Sequence, residues 1–292
     1  MESTDWSTVA TGTERESAEL ALVLASRGFE YERGFCDGVW QLRVPAAQAA
    51  SARNELADYR EENAATGTPG PLRIVGRGWP GVLVYASVLM LVAVCNRQSV
   101  FGLDWLAIGE VDGGKMLHGQ WWRAATALTL HSGLDHLLGN LLFGAFFGFY
   151  AARYLGAGLA WAAITASGVL GNALNILVQA PDHRAIGAST AVFGALGLLS
   201  AYTWRRRLAP NLPMRVRIAP LIAGLGLLAY TGTAGANTDI GAHLMGFASG
   251  LGFGFVFARW RIPTARTVQV IAAAAACCVI VVAWAWGALA SA

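Results

Sequence analysis

Ser189 stands in the stretch IGASTAVFG, at the mouth of a long apolar run, with Gly187 and Ala188 before it. A serine hydroxyl is a weak nucleophile until a neighbouring base takes its proton. Small residues at 187 and 188 leave the Ser189 backbone N–H open at a helix start. Unpaired N–H groups and the helix dipole favour negative charge there, which is what the oxyanion of an acyl transfer needs. A lone serine in an apolar helix is usually packing, so a base must be found. His243, in AHLMGFASGLGFG, offers one. At about 100° per residue, Gly246, Gly250 and Gly254 fall within about 60° of the His243 direction. Such a stripe lets another helix come close on the histidine's own face. If that helix is the one opened by Ser189, the histidine reaches the serine. His136 and Asn140, four apart in HLLGN, share one face of a third helix. They can donate hydrogen bonds into a cavity, or tie two helices together.

The elements that must carry these residues are unusually oily. The chain of 292 residues is 55% apolar and 13% charged, whereas a soluble domain is about a quarter charged. From Trp79 onward seven runs are long enough, or nearly so, to span about 30 Å of hydrocarbon as helices. They lie at about 80–95, 136–154, 158–179, 188–204, 215–232, 240–258 and 268–290. A buried soluble core cannot absorb seven such runs in one stretch of chain. The expectation is a polytopic all-α membrane protein.

Charge divides the chain. Residues 1–79 carry twelve acids and eight arginines, and residues 80–292 carry six acids and thirteen bases. The basic half does not suggest nucleic acid, because its arginines cluster between apolar runs. Arginine and lysine favour the cytoplasmic loops. With the N-terminus cytoplasmic, eleven basic residues fall inside, among them Arg153, Arg205, Arg206 and Arg259. Arg97, Lys115, Arg123 and Arg184 fall outside, as does the C-terminus. His136, Ser189 and His243 then share the outer half. Met1 to Glu16 is polar, so no secretory signal is expected. Lys115 is the only lysine, an arginine-heavy bias that suggests a GC-rich bacterial genome and an inner-membrane location.

Residues 17–62 read as helix, strand, strand, helix, with a helix stop at Gly28 and a turn at GFCDG. The expected organisation is a small cytoplasmic α/β domain over 1–64, a linker over 65–79, a core over 80–260 and an added span over 261–292. The first loop, 96–134, is amphipathic and aromatic, and its Trp122 and Arg123 suit the bilayer interface. Cys36, Cys95, Cys277 and Cys278 show no metal or disulfide spacing. The order Ser189, Asp239, His243 imitates an α/β-hydrolase triad, and GAST brushes against its serine elbow. That elbow needs a strand before the serine, and here both flanks are apolar helices. Asp239 is expected to face outer water near the mouth rather than to join the site.

Taken together, WWR in the first loop, HSGLDHLLGN, GAST and AHLMGFASG resemble the rhomboid intramembrane serine proteases over about 80–260. The resemblance implies a six-helix bundle with an outward-facing aqueous cavity, plus a C-terminal transmembrane helix and a small soluble α/β domain in front. It implies a dyad of Ser189 and His243 without a third acid. The oxyanion hole would comprise His136, Asn140 and the Ser189 N–H, with Gly187, Ala188, Gly246 and Gly250 in support. Trp122 and Arg123 would belong to a membrane-embedded first loop. No metal or cofactor is implied. The implied partners are the lipid bilayer and single-span membrane proteins as substrates; a cytoplasmic partner of the head domain is open. The chain departs from the family's G-x-S-G at Thr190, a stiff, bulkier neighbour of the nucleophile. A catalytically inactive, client-binding relative is the alternative. A transporter fits poorly, with few acids in the spans and no inverted repeat.

Overall fold

The computed structural model describes residues 5–64, 72–206, 213–232 and 239–291. It divides into two compact units, one over the N-terminal residues and one over the apolar remainder.

In the first unit, β1 (Trp6–Gly12), α1 (Glu14–Ser26), β2 (Glu32–Cys36), β3 (Val39–Pro45) and α2 (Ala49–Ala64) follow one another. Thr13 and Glu16 close a capping box at the start of α1. Gly28, at φ +78, ends that helix. Asp37 and Gly38, both at positive φ, make the tight turn between β2 and β3. The sheet order is β1-β3-β2, all antiparallel. Leu24, Leu42, Val44 and Leu56 form its core. Strand β1 is absent from the sequence reading. Its run, WSTVATG, is short and lacks the strict alternation of a strand, and it becomes a strand because β3 offers it an edge.

In the second unit, α3 (Trp79–Arg97) leads into a folded first loop. That loop holds α4 (Trp105–Gly109), β4 (Val111–Asp112), α5 (Gly113–Leu117) and α6 (Arg123–Thr126). Then come α7 (Leu134–Leu155), α8 (Ala157–Ile176), β5 (Arg184–Ala185), α9 (Ser189–Arg206), α10 (Met214–Gly232), α11 (Ile240–Arg259) and α12 (Arg266–Ser291). The seven long helices occupy the seven apolar runs. Of the described helices, α3, α8, α11 and α12 are long and apolar enough to cross a membrane by composition alone. The other three carry polar residues: Asp135, His136, Asn140 and Arg153 in α7, Arg205 and Arg206 in α9, and Arg215 in α10. This is an integral, multi-pass, mostly helical membrane protein with a small α/β unit at its N-terminus. The expected linker lies largely outside the described residues, since 65–71 are among those not described.

Helices α9 and α11 pack with their backbones in close approach. A Cβ on Gly246 would fall against the Thr190 carbonyl oxygen, one on Gly250 against that of Gly194, and one on Gly254 against that of Leu198. A Cβ on Gly197 of α9 would likewise strike the Phe247 carbonyl. Only glycine allows two backbones to approach so closely. The β4–β5 ladder, Val111 to Ala185 and Asp112 to Arg184, joins the first loop to the α8–α9 loop. The sequence reading contains neither strand, because two-residue strands carry no periodicity.

Candidate active site

Ser189 is the first residue of α9, and the glycine stripe brings α11 against it. His243 Nε2 lies 2.8 Å from Ser189 Oγ, within hydrogen-bond range. His243 is 7% exposed, and its ring packs on Phe193 at a centroid distance of 4.4 Å. Phe193 lies one turn along α9 from the serine, so one helix supplies both the hydroxyl and the surface that steadies the imidazole.

His136 and Asn140 sit on the adjacent face of α7. His136 Nδ1 is 3.1 Å from Ser132 Oγ. Its Nε2 is directed at the turn before Ser189: a Cβ on Gly187 would lie 2.6 Å from that nitrogen and 3.6 Å from Ser189 Oγ. Gly187 has φ +130, a conformation that side chains rarely adopt. Glycine is required there twice over, by the backbone and by the approach of His136. Asn140 is 6% exposed and uses one amide proton on the His136 carbonyl at 3.0 Å. Ser189, His243, His136, Asn140 and Gly187 all line one cavity of about 980 Å³. Ala188 is buried against Leu89 and Leu137. Gly246 and Gly250 serve the helix contact rather than the cavity. Among the described residues, no cluster of His, Cys, Asp or Glu could hold a metal ion.

Thr190 is accommodated rather than intrusive. It is buried, and its Cγ2 is directed at Gly171 of α8 and Gly246 of α11, where a Cβ on either glycine would collide with it. The extra bulk beside Ser189 is absorbed by glycines on two neighbouring helices.

Trp122 and Arg123 lie apart from the cavity, inside the first loop. Trp122 Nε1 donates to the Ile108 carbonyl at 3.2 Å. The Arg123 guanidinium donates to the Glu110 and Ala107 carbonyls and to Gln120 Oε1, each at 2.8 Å. Arg123 is 3% exposed, so it organises the loop from within.

Sequence reasoning missed several residues around the site. His131 Nε2 faces the Ala188 N–H at 3.5 Å. Burial, and then the neighbouring His136, push the His131 imidazole down to about 4, which keeps it neutral and able to accept that proton. Asp239 lines the same cavity, with 14% of its side chain exposed, but its carboxylate is engaged by protein groups. It caps α11, accepting from the Ala242 N–H at 2.9 Å. Its other oxygen accepts from Asn175 Nδ2 at 2.9 Å and lies 2.7 Å from His183 Nε2. It is a helix cap tied to the α8–α9 loop. An aspartate four residues before His243 at a helix start was a legible cap signal. Its partner, His183, was not legible, because a distant loop supplies it.

A model of the rhomboid domain matches residues 118–260. The chain is 30% identical over 140 residues to the rhomboid-protease candidate YdcA of Bacillus subtilis (strain 168), covering 48% of this chain and 68% of that one. It is 32% identical over 155 residues to RHOMBOID-like protein 7 of Arabidopsis thaliana, covering 51% and 47%. It is 29% identical over 162 residues to the rhomboid protease GluP of Bacillus subtilis (strain 168), covering 55% and 30%. The chain therefore spans less than half the length of the last two relatives.

Proposed function

The chain belongs to the rhomboid family of intramembrane serine proteases, and on that premise we propose that it cleaves the transmembrane segments of single-span membrane proteins through Ser189 and His243. The observation that carries this reading is the 2.8 Å approach of His243 Nε2 to Ser189 Oγ inside a large cavity. In the first step Ser189 Oγ attacks the scissile carbonyl carbon and its proton passes to His243 Nε2. The carbonyl oxygen becomes an oxyanion, held by the Ser189 N–H and by the side chains of His136 and Asn140. The C–N bond then breaks, and His243 returns its proton to the leaving amine. Water next attacks the acyl-enzyme with His243 again as base, releasing the acid and restoring the serine.

The substrate enters from the bilayer and unwinds locally, since a helix shields its own peptide bonds. The N-terminus lies in the cytoplasm and the C-terminus outside, in a bacterial inner membrane. The arginine bias of the loops supports this orientation.

The test is labelling by a fluorophosphonate probe in detergent micelles, followed by cleavage of a model membrane substrate. Wild type is expected to label and to cleave. Ser189→Ala and His243→Ala are expected to do neither, with kcat at least about a thousandfold lower. A well-folded wild type that neither labels nor cleaves overturns the reading in favour of an inactive, client-binding relative.

A further inference from the structure

The seventh long helix, α12, lies outside the six that carry the site, yet it grips the segment on which the nucleophile's turn rests. At its N-terminal end Gln269 caps the α7–α8 turn. Its Oε1 accepts from the Gly158 and Leu159 N–H groups at 2.9 and 3.2 Å, and its Nε2 donates to the Leu155 carbonyl at 3.0 Å. These are groups that helix ends otherwise leave unpaired. At its other end α12 meets the first loop. Trp284 Nε1 donates to Thr129 Oγ1 at 3.1 Å, and its ring packs on Trp105 at 4.6 Å. The indole rests where a Cβ on Gly109 would be, and a Cβ on Gly287 would meet the Trp122 ring. Both glycines make room for tryptophans across this contact.

Thr129 belongs to the short segment that supports the site. Its hydroxyl, while accepting from Trp284, donates to the Thr126 carbonyl at 2.7 Å. In that same segment the Ala127 carbonyl accepts from the Gly187 N–H at 2.9 Å. His131, two residues beyond Thr129, faces the Ala188 N–H. Gly187 and Ala188 immediately precede the nucleophile, so the segment 126–131 sets where Ser189 begins its helix.

We propose that α12 is part of the active-site scaffold, and that Trp284 is a positioning residue that acts on Ser189 through Thr129 and the segment 126–131. The proposal rests on the protease reading above. Reaction rates are steep in geometry, and a displacement of about 1 Å can cost about a hundredfold. A loosened segment therefore slows the chemistry without altering what binds in the cavity.

The experiment measures inactivation of the full chain by a fluorophosphonate in micelles, separating the maximal rate, kinact, from the half-saturating concentration, KI. Melting temperature is recorded for each variant. Trp284→Phe keeps a ring and loses the N–H. Thr129→Val loses the acceptor, and Thr129→Ser keeps it. The expected result is that Trp284→Phe and Thr129→Val each lower kinact about three- to tenfold, roughly the worth of one hydrogen bond. KI should stay unchanged, and the double variant should be no worse than either single one. Thr129→Ser should keep the wild-type rate, as should Leu289→Ala at an exposed α12 position. Trp284→Ala should lose more than Trp284→Phe. If Trp284→Ala fails to fold, the milder pair and the serine rescue decide. Unchanged kinact in Trp284→Phe and Thr129→Val, in a wild type that labels, overturns this proposal alone. A rise in KI with kinact intact also overturns it, since that marks a binding contact. A wild type that does not label removes the protease reading together with this one.

Discussion

Thr190 shows how a departure next to the proposed nucleophile is judged by where its side chain goes. Its Cγ2 is seated toward Gly171 and Gly246, so the departure from the family's glycine is a packing solution shared by three helices. Thr190→Gly is therefore expected to destabilise the protein by about 1–2 kcal/mol, through the lost methyl and the freer backbone. Thermal unfolding in detergent checks this, and a more stable glycine variant would contradict it. His131 carries a pH dependence. Its imidazole is held at about 4, against an ordinary 6.5, first by burial and then by His136. Between those values the unfolded chain takes up a proton that the folded one refuses. Stability should thus be full above about pH 6.5 and fall as pH drops toward 4, by up to about 3 kcal/mol. His131→Gln should flatten that part of the profile in melts at pH 7.5 and pH 5.

Helix α11 is positioned by what it lacks. With Gly246, Gly250 and Gly254 facing α9, backbone meets backbone, and His243 on the same face arrives at Ser189. Side chains on this stripe would push the helices apart by ångströms, far more than a hydrogen bond tolerates. Gly250→Val, two turns from the histidine, is expected to cost about 1–3 kcal/mol or more from overpacking. It should also reduce fluorophosphonate labelling at least about tenfold, although it touches neither member of the pair. Labelling at the wild-type rate in a folded Gly250→Val protein would show that the stripe does not set the Ser189–His243 distance. The N-terminus of α11 has its own fastening in Asp239, whose carboxylate is shared between the helix cap, Asn175 and His183.

At the scale of the whole chain, the orientation proposal makes a direct prediction. In inside-out vesicles an N-terminal tag should be open to protease and a C-terminal tag protected, and right-side-out vesicles should reverse this. The opposite pattern would invert the reading of the arginine bias. The amino-acid sequence by itself determined the helical runs, because hydrocarbon demands a length and an apolarity that no other element imitates. It determined the packing face of α11, because a helical period places His243 over its own glycines, and it marked Ser189 by the small residues before it. The Asp37–Gly38 turn and the Gly28 stop were legible for the same reason: local backbone geometry restricts the residue type. Tertiary structure alone decided the rest. Strand β1 exists because β3 has a free edge, and β4 and β5 exist because two distant loops meet. Thr190 finds room because Gly171 and Gly246 lie opposite it, Asp239 is a cap with a partner because His183 is delivered from another loop, and Trp284 reaches Thr129 across 155 positions of chain. Each of these depends on which surfaces meet in space, and a short polar or aromatic residue carries no periodic signal of the partner that will satisfy it.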